Sequence, residues 1–124
     1  MKVLYIEDKD EKYMDVASAL KRQGIPSIDW EMNAEDGLRE LQKAIDDGEP
    51  YELLVLDMQF PVKGVYNENA GEYVIEQLRK KGIEIPIIAC SSLPFVEVDG
   101  AIGCVFYNAR TDLDAEFRKL LARL

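Results

Sequence analysis

The chain has 124 residues, with 15 basic and 24 acidic side chains, no histidine and a formal net charge of −9. That length suits one domain, read as spanning residues 1–124, and the acidic balance opposes direct binding to nucleic acid or to an anionic membrane, both of which need clustered Lys and Arg. The lack of histidine removes His-based acid/base catalysis, catalytic triads and His-ligated zinc, while no window approaches the roughly 20 apolar residues of a membrane span.

Short apolar runs alternate with amphipathic stretches five times along the chain, which predicts an α/β protein with a parallel sheet. The first run, Val3-Leu4-Tyr5-Ile6, follows Met1-Lys2 directly with no signal-peptide pattern, so a cytoplasmic location is expected. Tyr13, Val16, Ala17 and Leu20 fall at helical spacing and predict the first helix, stopped by Gly24 and Pro26. Residues 27–32 read as a weaker strand suited to a sheet edge, with Ile28 and Trp30 on one face. Asn33 is placed to cap a second helix carrying Leu38, Leu41 and Ile45 and ended by Gly48. After the run Leu53-Leu54-Val55-Leu56, a third helix carries Val74, Ile75 and Leu78 and ends near Gly82. The fourth strand spans 85–90 with Pro86 at its start, where a missing N–H costs least, and the fifth spans 103–107. The last helix starts near Thr111, with Asp114 completing an approximate capping box, and its face is Leu113, Phe117, Leu120, Leu121 and Leu124.

Two connections stand out. Pro61 to Ala70 is long and lacks helical periodicity, and it suits either a lid or binding loop or an insertion without a role. Between the last two strands, Ser92 to Ile102 contains Pro94 and Gly100 and leaves room for one helical turn at most. Cys90 and Cys104 lie in apolar strand segments without metal-ligand spacing and read as a buried, reduced pair, with a redox link open if their strands are neighbours.

The wholly apolar runs fit strands covered on both faces, and two of them end abruptly in acid, Ile6 in Glu7-Asp8 and Leu56 in Asp57. In an open parallel sheet such ends meet at the carboxyl edge, where ligands bind. Three carboxylates there repel one another unless a cation sits between them. This predicts a hard-cation site, with Mg²⁺ the expected ion and Asp57 as the reactive group.

The pair Glu7-Asp8 after the first strand, Asp57 followed by Met58-Gln59-Phe60-Pro61 after the third, and Ser91 after the fourth come in order at the ends of alternate elements. With that set the sequence resembles the receiver domain of bacterial two-component response regulators over essentially the whole chain, and Asp57 with Pro61 reproduces the family's spacing of phosphoacceptor and loop proline. The resemblance implies a flavodoxin-like, three-layer doubly wound fold with five parallel strands in the order 2-1-3-4-5, its fourth helix shortened or missing here. It implies that Glu7, Asp8 and Asp57 hold Mg²⁺ together with the backbone carbonyl of Gln59. Asp57 then takes a phosphoryl group, by its own chemistry and without turnover as an enzyme, and the Ser91 hydroxyl, with Ser92 as a near rival, bonds to that group. The implied phosphodonor is a sensor histidine kinase or a phosphotransfer protein, and the implied output is a changed protein–protein contact, a homodimer among the options.

The chain departs from the pattern at the fifth strand, where Tyr107-Asn108 stands in place of the family's lysine and proline. Tyr107 brings a hydroxyl but no charge, and Lys9, Lys63 and Arg110 lie near enough in sequence to site loops to be considered as substitutes. The departure motivates an alternative: a pseudo-receiver that keeps the fold and acts as a phosphorylation-independent interaction or dimerisation module. A small Mg²⁺-aspartate hydrolase is disfavoured by Gln59, where those enzymes carry a second Asp, and a flavin module by the acidic loop after the first strand. As the sequence ends with the last helix, no DNA-binding or catalytic output domain is expected to follow.

Overall fold

The three runs that are apolar throughout form the interior of the sheet. In the computed structural model, which describes residues 1–94 and 97–124, β1 (Val3–Ile6), β3 (Leu53–Leu56) and β6 (Ile87–Ser91) are buried along their whole length. β2 (Ile28–Glu31) and β7 (Gly103–Phe106) are only partly covered and lie at the two edges. The order is β2-β1-β3-β6-β7 with every pairing parallel, the doubly wound arrangement expected for the five sheet strands.

Side-chain alternation along each strand sends residues to two cores. Leu4, Ile6, Leu54, Leu56, Ile87 and Ala89 meet α2 (Ala34–Asp46) and α3 (Ala70–Lys80) on one face. On the other face Val3, Tyr5, Leu53, Val55, Ile88 and Val105 meet α1 (Asp10–Arg22) and α4 (Leu113–Leu121). Among the described residues no helix is long and apolar enough to cross a membrane.

Helix boundaries follow local chemistry. Asn33 caps α2 by accepting from the Asp36 amide at 2.9 Å, and Gly48 ends it at φ +76°. At α4 the cap is Asp112, accepting from the Ala115 amide at 3.0 Å, rather than Thr111 with Asp114. The Thr111 hydroxyl is engaged with the Phe106 carbonyl, and Asp114 pairs with Arg22 of α1. Ile45 and Leu124, expected on buried faces, are exposed; Ala44 takes the core position on α2, and Leu124 lies beyond the end of α4.

The expected long loop before α3 is ordered as a hairpin, β4 (Phe60–Val62) against β5 (Val65–Asn67), with Val62 opposite Val65. Its two turn residues, Lys63 and Gly64, both have positive φ, 53° and 80°, as tight two-residue hairpins require. Between β6 and β7 the described residues 92–94 and 97–102 hold bends and a turn but no helix; Phe95 and Val96, within the expected single helical turn, lie outside the described residues. β6 and β7 are neighbours, yet their register sets Ala89 opposite Cys104 and Cys90 opposite Val105. The thiols therefore face opposite cores and both are free, which removes the redox link between them.

Candidate functional site

Register brings the acidic strand ends together. Ile6 is level with Leu56 in β3 and with Glu31 in β2, so the next residues, Glu7 and Asp57, emerge side by side. The Asp57 amide donates to the Ile6 carbonyl at 3.0 Å and the Glu7 amide to the Glu31 carbonyl at 2.9 Å, extending the ladder by one bond on each side. Alternation puts Glu7 in line with Val3 and Tyr5, and Asp57 in line with Leu53 and Val55, so both carboxylates turn toward α1. Ligand oxygens of Glu7, Asp8 and Asp57 lie within 4.8 Å of one another. Glu7 is fully buried and Asp57 is 4% exposed, whereas Asp8 is half-buried at the rim.

A residue that the sequence reading passed over sits at the centre. The Lys12 ammonium, from the first turn of α1, lies 2.8 Å from Asp57 Oδ1 and 2.9 Å from Glu7 Oε1, and donates to the Cys90 carbonyl at 2.8 Å. The ammonium thus donates two hydrogen bonds, to Asp57 and to the Cys90 carbonyl, and has Glu7 as a second ion-pair partner. Lys12 is 4% exposed, a rare burial for a lysine and tolerable only with such pairing. The signal was present: Lys12 precedes Val16 by four residues and Ala19 by seven, so it lies on the buried row of α1 just beyond the expected apolar face.

The remaining bonds assign each oxygen. Glu7 Oε1 also accepts from the Tyr5 hydroxyl at 2.8 Å, and Oε2 from the Lys9 amide at 3.3 Å. Asp57 Oδ1 also accepts from the Met58 amide at 2.8 Å, while among the described residues no donor reaches Oδ2. Among the described residues no hydrogen-bond partner reaches the buried Asp8 Oδ1, and Asp8 Oδ2 is 3.7 Å from the exposed Lys9 ammonium. An open cleft of about 670 Å³ leads to this rim, lined by Asp8, Lys9, Lys12, Met32, Ser92 and Tyr107 among others.

Burial, reinforced by the charge on Asp57, pushes the Glu7 carboxyl up to about 7, against the pull of Lys12 and Tyr5. Burial likewise raises Asp8, opposed chiefly by Lys9. For Lys12 burial favours the neutral amine, but Asp57 and Glu7 outweigh it and the group is raised, which keeps it an ammonium. The Cys90 thiol is pushed up to about 12 by burial and is inert at neutral pH.

Ser91, the last residue of β6, is buried; its hydroxyl donates to Gln59 Oε1 at 3.2 Å and accepts from the Leu93 amide at 3.0 Å. Gln59 holds the start of the hairpin, donating from Nε2 to the Glu68 carbonyl at 3.3 Å. Tyr107 does not reach Asp57: its hydroxyl donates to Asp15 of α1, and its ring centroid lies 6.0 Å from the Lys12 ammonium. Of the three substitutes considered for the missing lysine, Lys9 approaches only Asp8, Lys63 lies in the hairpin turn, and Arg110 is exposed. Trp30 lies close behind the site, donating from its indole to the Glu7 carbonyl at 2.7 Å and stacking on Tyr13 at 4.0 Å.

No protein-family model matches the chain. A two-component response regulator of rice (Oryza sativa subsp. japonica), ORR41, is 32% identical over 92 residues, covering 74% of this chain and 66% of the relative. The chemotaxis response regulator CheY4 of Vibrio cholerae superposes with a TM-score of 0.73 at 19% identity, covering 99% of this chain and 98% of that one. A chain from the complex of histidine kinase ThkA with response regulator protein TrrA gives 0.69 at 24% identity, covering 98% and 99%. In fold the chain is similar to the receiver domains of two-component response regulators, and in sequence to one such regulator, of whose length it spans just under two thirds.

Proposed function

We propose that this receiver takes a phosphoryl group on Asp57 with the help of Mg²⁺, from the phosphohistidine of a sensor histidine kinase or of a phosphotransfer protein. The observation that carries the reading is the convergence of the Glu7, Asp8 and Asp57 oxygens within 4.8 Å. A divalent ion fits these residues: the donors are hard oxygens, three carboxylates against one ammonium leave a formal charge of −2, and the buried Asp8 Oδ1 has no donor among the described residues. Glu7, Asp8 and Asp57 would hold the ion, together with the backbone carbonyl of Gln59. When bound, Mg²⁺ supplies charge that offsets the repulsion between the incoming phosphoryl oxygens and the carboxylates.

The chain's own residues do the rest. Lys12 and the Met58 amide occupy Asp57 Oδ1, which leaves Oδ2 as the nucleophile. Oδ2 forms the bond to phosphorus as the phosphorus–nitrogen bond of the donor breaks, its electron pair going to the ring nitrogen. Ser91 Oγ exchanges Gln59 Oε1 for a phosphoryl oxygen, a small movement that links the site to the hairpin through Gln59. The altered hairpin and β6–β7 connection then change a contact with a protein partner or a second copy of the chain, in the cytoplasm.

Fluorine NMR of the protein with Mg²⁺ and beryllofluoride tests this reading. A bound resonance is expected that requires Mg²⁺ and disappears in Asp57→Asn; its absence from the native chain contradicts the proposal. One observation favours a second reading, a phosphorylation-independent interaction module: the Lys12 ammonium itself neutralises part of the cluster. That reading requires Asp57→Ala to bind its partner as the native chain does.

A further inference from the structure

The buried ammonium of Lys12 is poorly explained as a device for stability. Buried ion pairs are often matched or bettered by apolar side chains of similar volume, and the first turn of a helix is the end that disfavours a cation. Yet the side chain is aimed with care. The Cys90 carbonyl and Glu7, itself fixed by the Tyr5 hydroxyl, hold the ammonium against Asp57 Oδ1. At the end of β7, Tyr107 is turned away to Asp15, so no group from that strand competes for Asp57.

We propose that Lys12 is the catalytic cation of this receiver: it stays on Asp57 Oδ1 while Oδ2 takes the phosphoryl group, and then bridges the carboxyl and phosphoryl oxygens of the product. The inference rests on the phosphoacceptor reading of Asp57. With acetyl phosphate as donor, Oδ2 forms the new oxygen–phosphorus bond, the bond between phosphorus and the acetyl oxygen breaks, and acetate leaves with the electron pair. Lys12 keeps its protons throughout; its role is charge, supplied from α1 instead of from the last strand. Glu7 is the positioning residue that keeps the ammonium in place when Asp57 changes its charge.

The test is the rate of phosphoryl uptake from acetyl phosphate at saturating Mg²⁺, followed by intact mass, in the native chain, Lys12→Gln, and Lys12→Gln with Tyr107→Lys. Losing one preorganised charge contact is expected to slow uptake about 100-fold. Tyr107→Lys, which brings an ammonium in from β7, is expected to restore most of it, a recovery that a merely structural role for Lys12 would not give. Should Lys12→Gln fail to fold, the pair Glu7→Gln with Lys12→Gln removes both charges together, and the same comparison with and without Tyr107→Lys is made there. Uptake at the native rate without Lys12, or slowed uptake that Tyr107→Lys leaves unchanged, overturns the inference. No uptake by the native chain overturns instead the phosphoacceptor reading on which it rests.

Discussion

Removing the Lys12 ammonium leaves Glu7 and Asp57 facing each other in a nearly dry pocket, and the energetic consequences are specific. Breaking a buried pair by deleting one partner costs about 3–5 kcal/mol, so Lys12→Met should lower unfolding free energy by an amount of that order in metal-free protein, measured by urea denaturation. Glu7 gives the complementary prediction. Its carboxyl sits at about 7 in the fold against an ordinary 4.5, so the folded state holds the proton more tightly than the unfolded one. The resulting contribution to stability is complete below 4.5 and is lost as pH rises toward 7. In chelator, the native chain should therefore lose stability across that window relative to Glu7→Gln, by a difference on the order of 3 kcal/mol. Equal pH slopes for the two proteins would contradict the assignment. Single residues also show what the sequence hid. Glu7, Asp8 and Asp57 were legible because each interrupts an apolar run without transition; Lys12 was not, because a lysine beside Asp10 and Glu11 reads as a solvated first turn.

Elements were legible where periodicity and punctuation agreed. β1, β3 and β6 declared themselves as continuous apolar runs, and α2 by its Asn33 cap and Gly48 stop. The β4–β5 hairpin was not seen, because its strands have only three residues each and its turn is Lys63-Gly64 in place of the more recognisable Asn-Gly. That substitution is strained: a left-handed conformation costs a β-carbon-bearing residue roughly 1 kcal/mol, less for Asn. Lys63→Asn should therefore stabilise the chain by about 0.5–1 kcal/mol, visible as a raised melting temperature. The backbone amide that Lys63 donates to Glu35 is unaffected by the exchange. At α3 the fit to the site is close: a β-carbon on Gly71 would collide with the Met58 sulfur and lie 3.0 Å from the Asp57 carbonyl. Gly71 thus lets the helix pack directly behind the end of β3.

For the whole molecule, the parallel α/β class followed from alternation of runs, the strand order from the family resemblance, and the location of the site from the rule that ligands gather at the carboxyl edge of a parallel sheet. What alternation could not supply was the cation's origin, since long-range register decides which helix overlies which strand end, and α1 covers the same face as Glu7 and Asp57. A net charge of −9 adds a general preference for cations, on which the cluster imposes a particular place. Mg²⁺ binding only the folded state should stabilise by about 2.7 kcal/mol at 100 times its dissociation constant. Thermal melts should show that gain in the native chain and lose most of it in Asp8→Asn. Trp30, the single tryptophan, donates to the Glu7 carbonyl, so its fluorescence should follow the same titration.

Covalent chemistry at Asp57 is read out by intact-mass analysis after incubation with acetyl phosphate. One added phosphoryl group is expected in the presence of Mg²⁺, lost with chelator and absent from Asp57→Asn. An unmodified native chain, or an adduct that persists in Asp57→Asn, would contradict it.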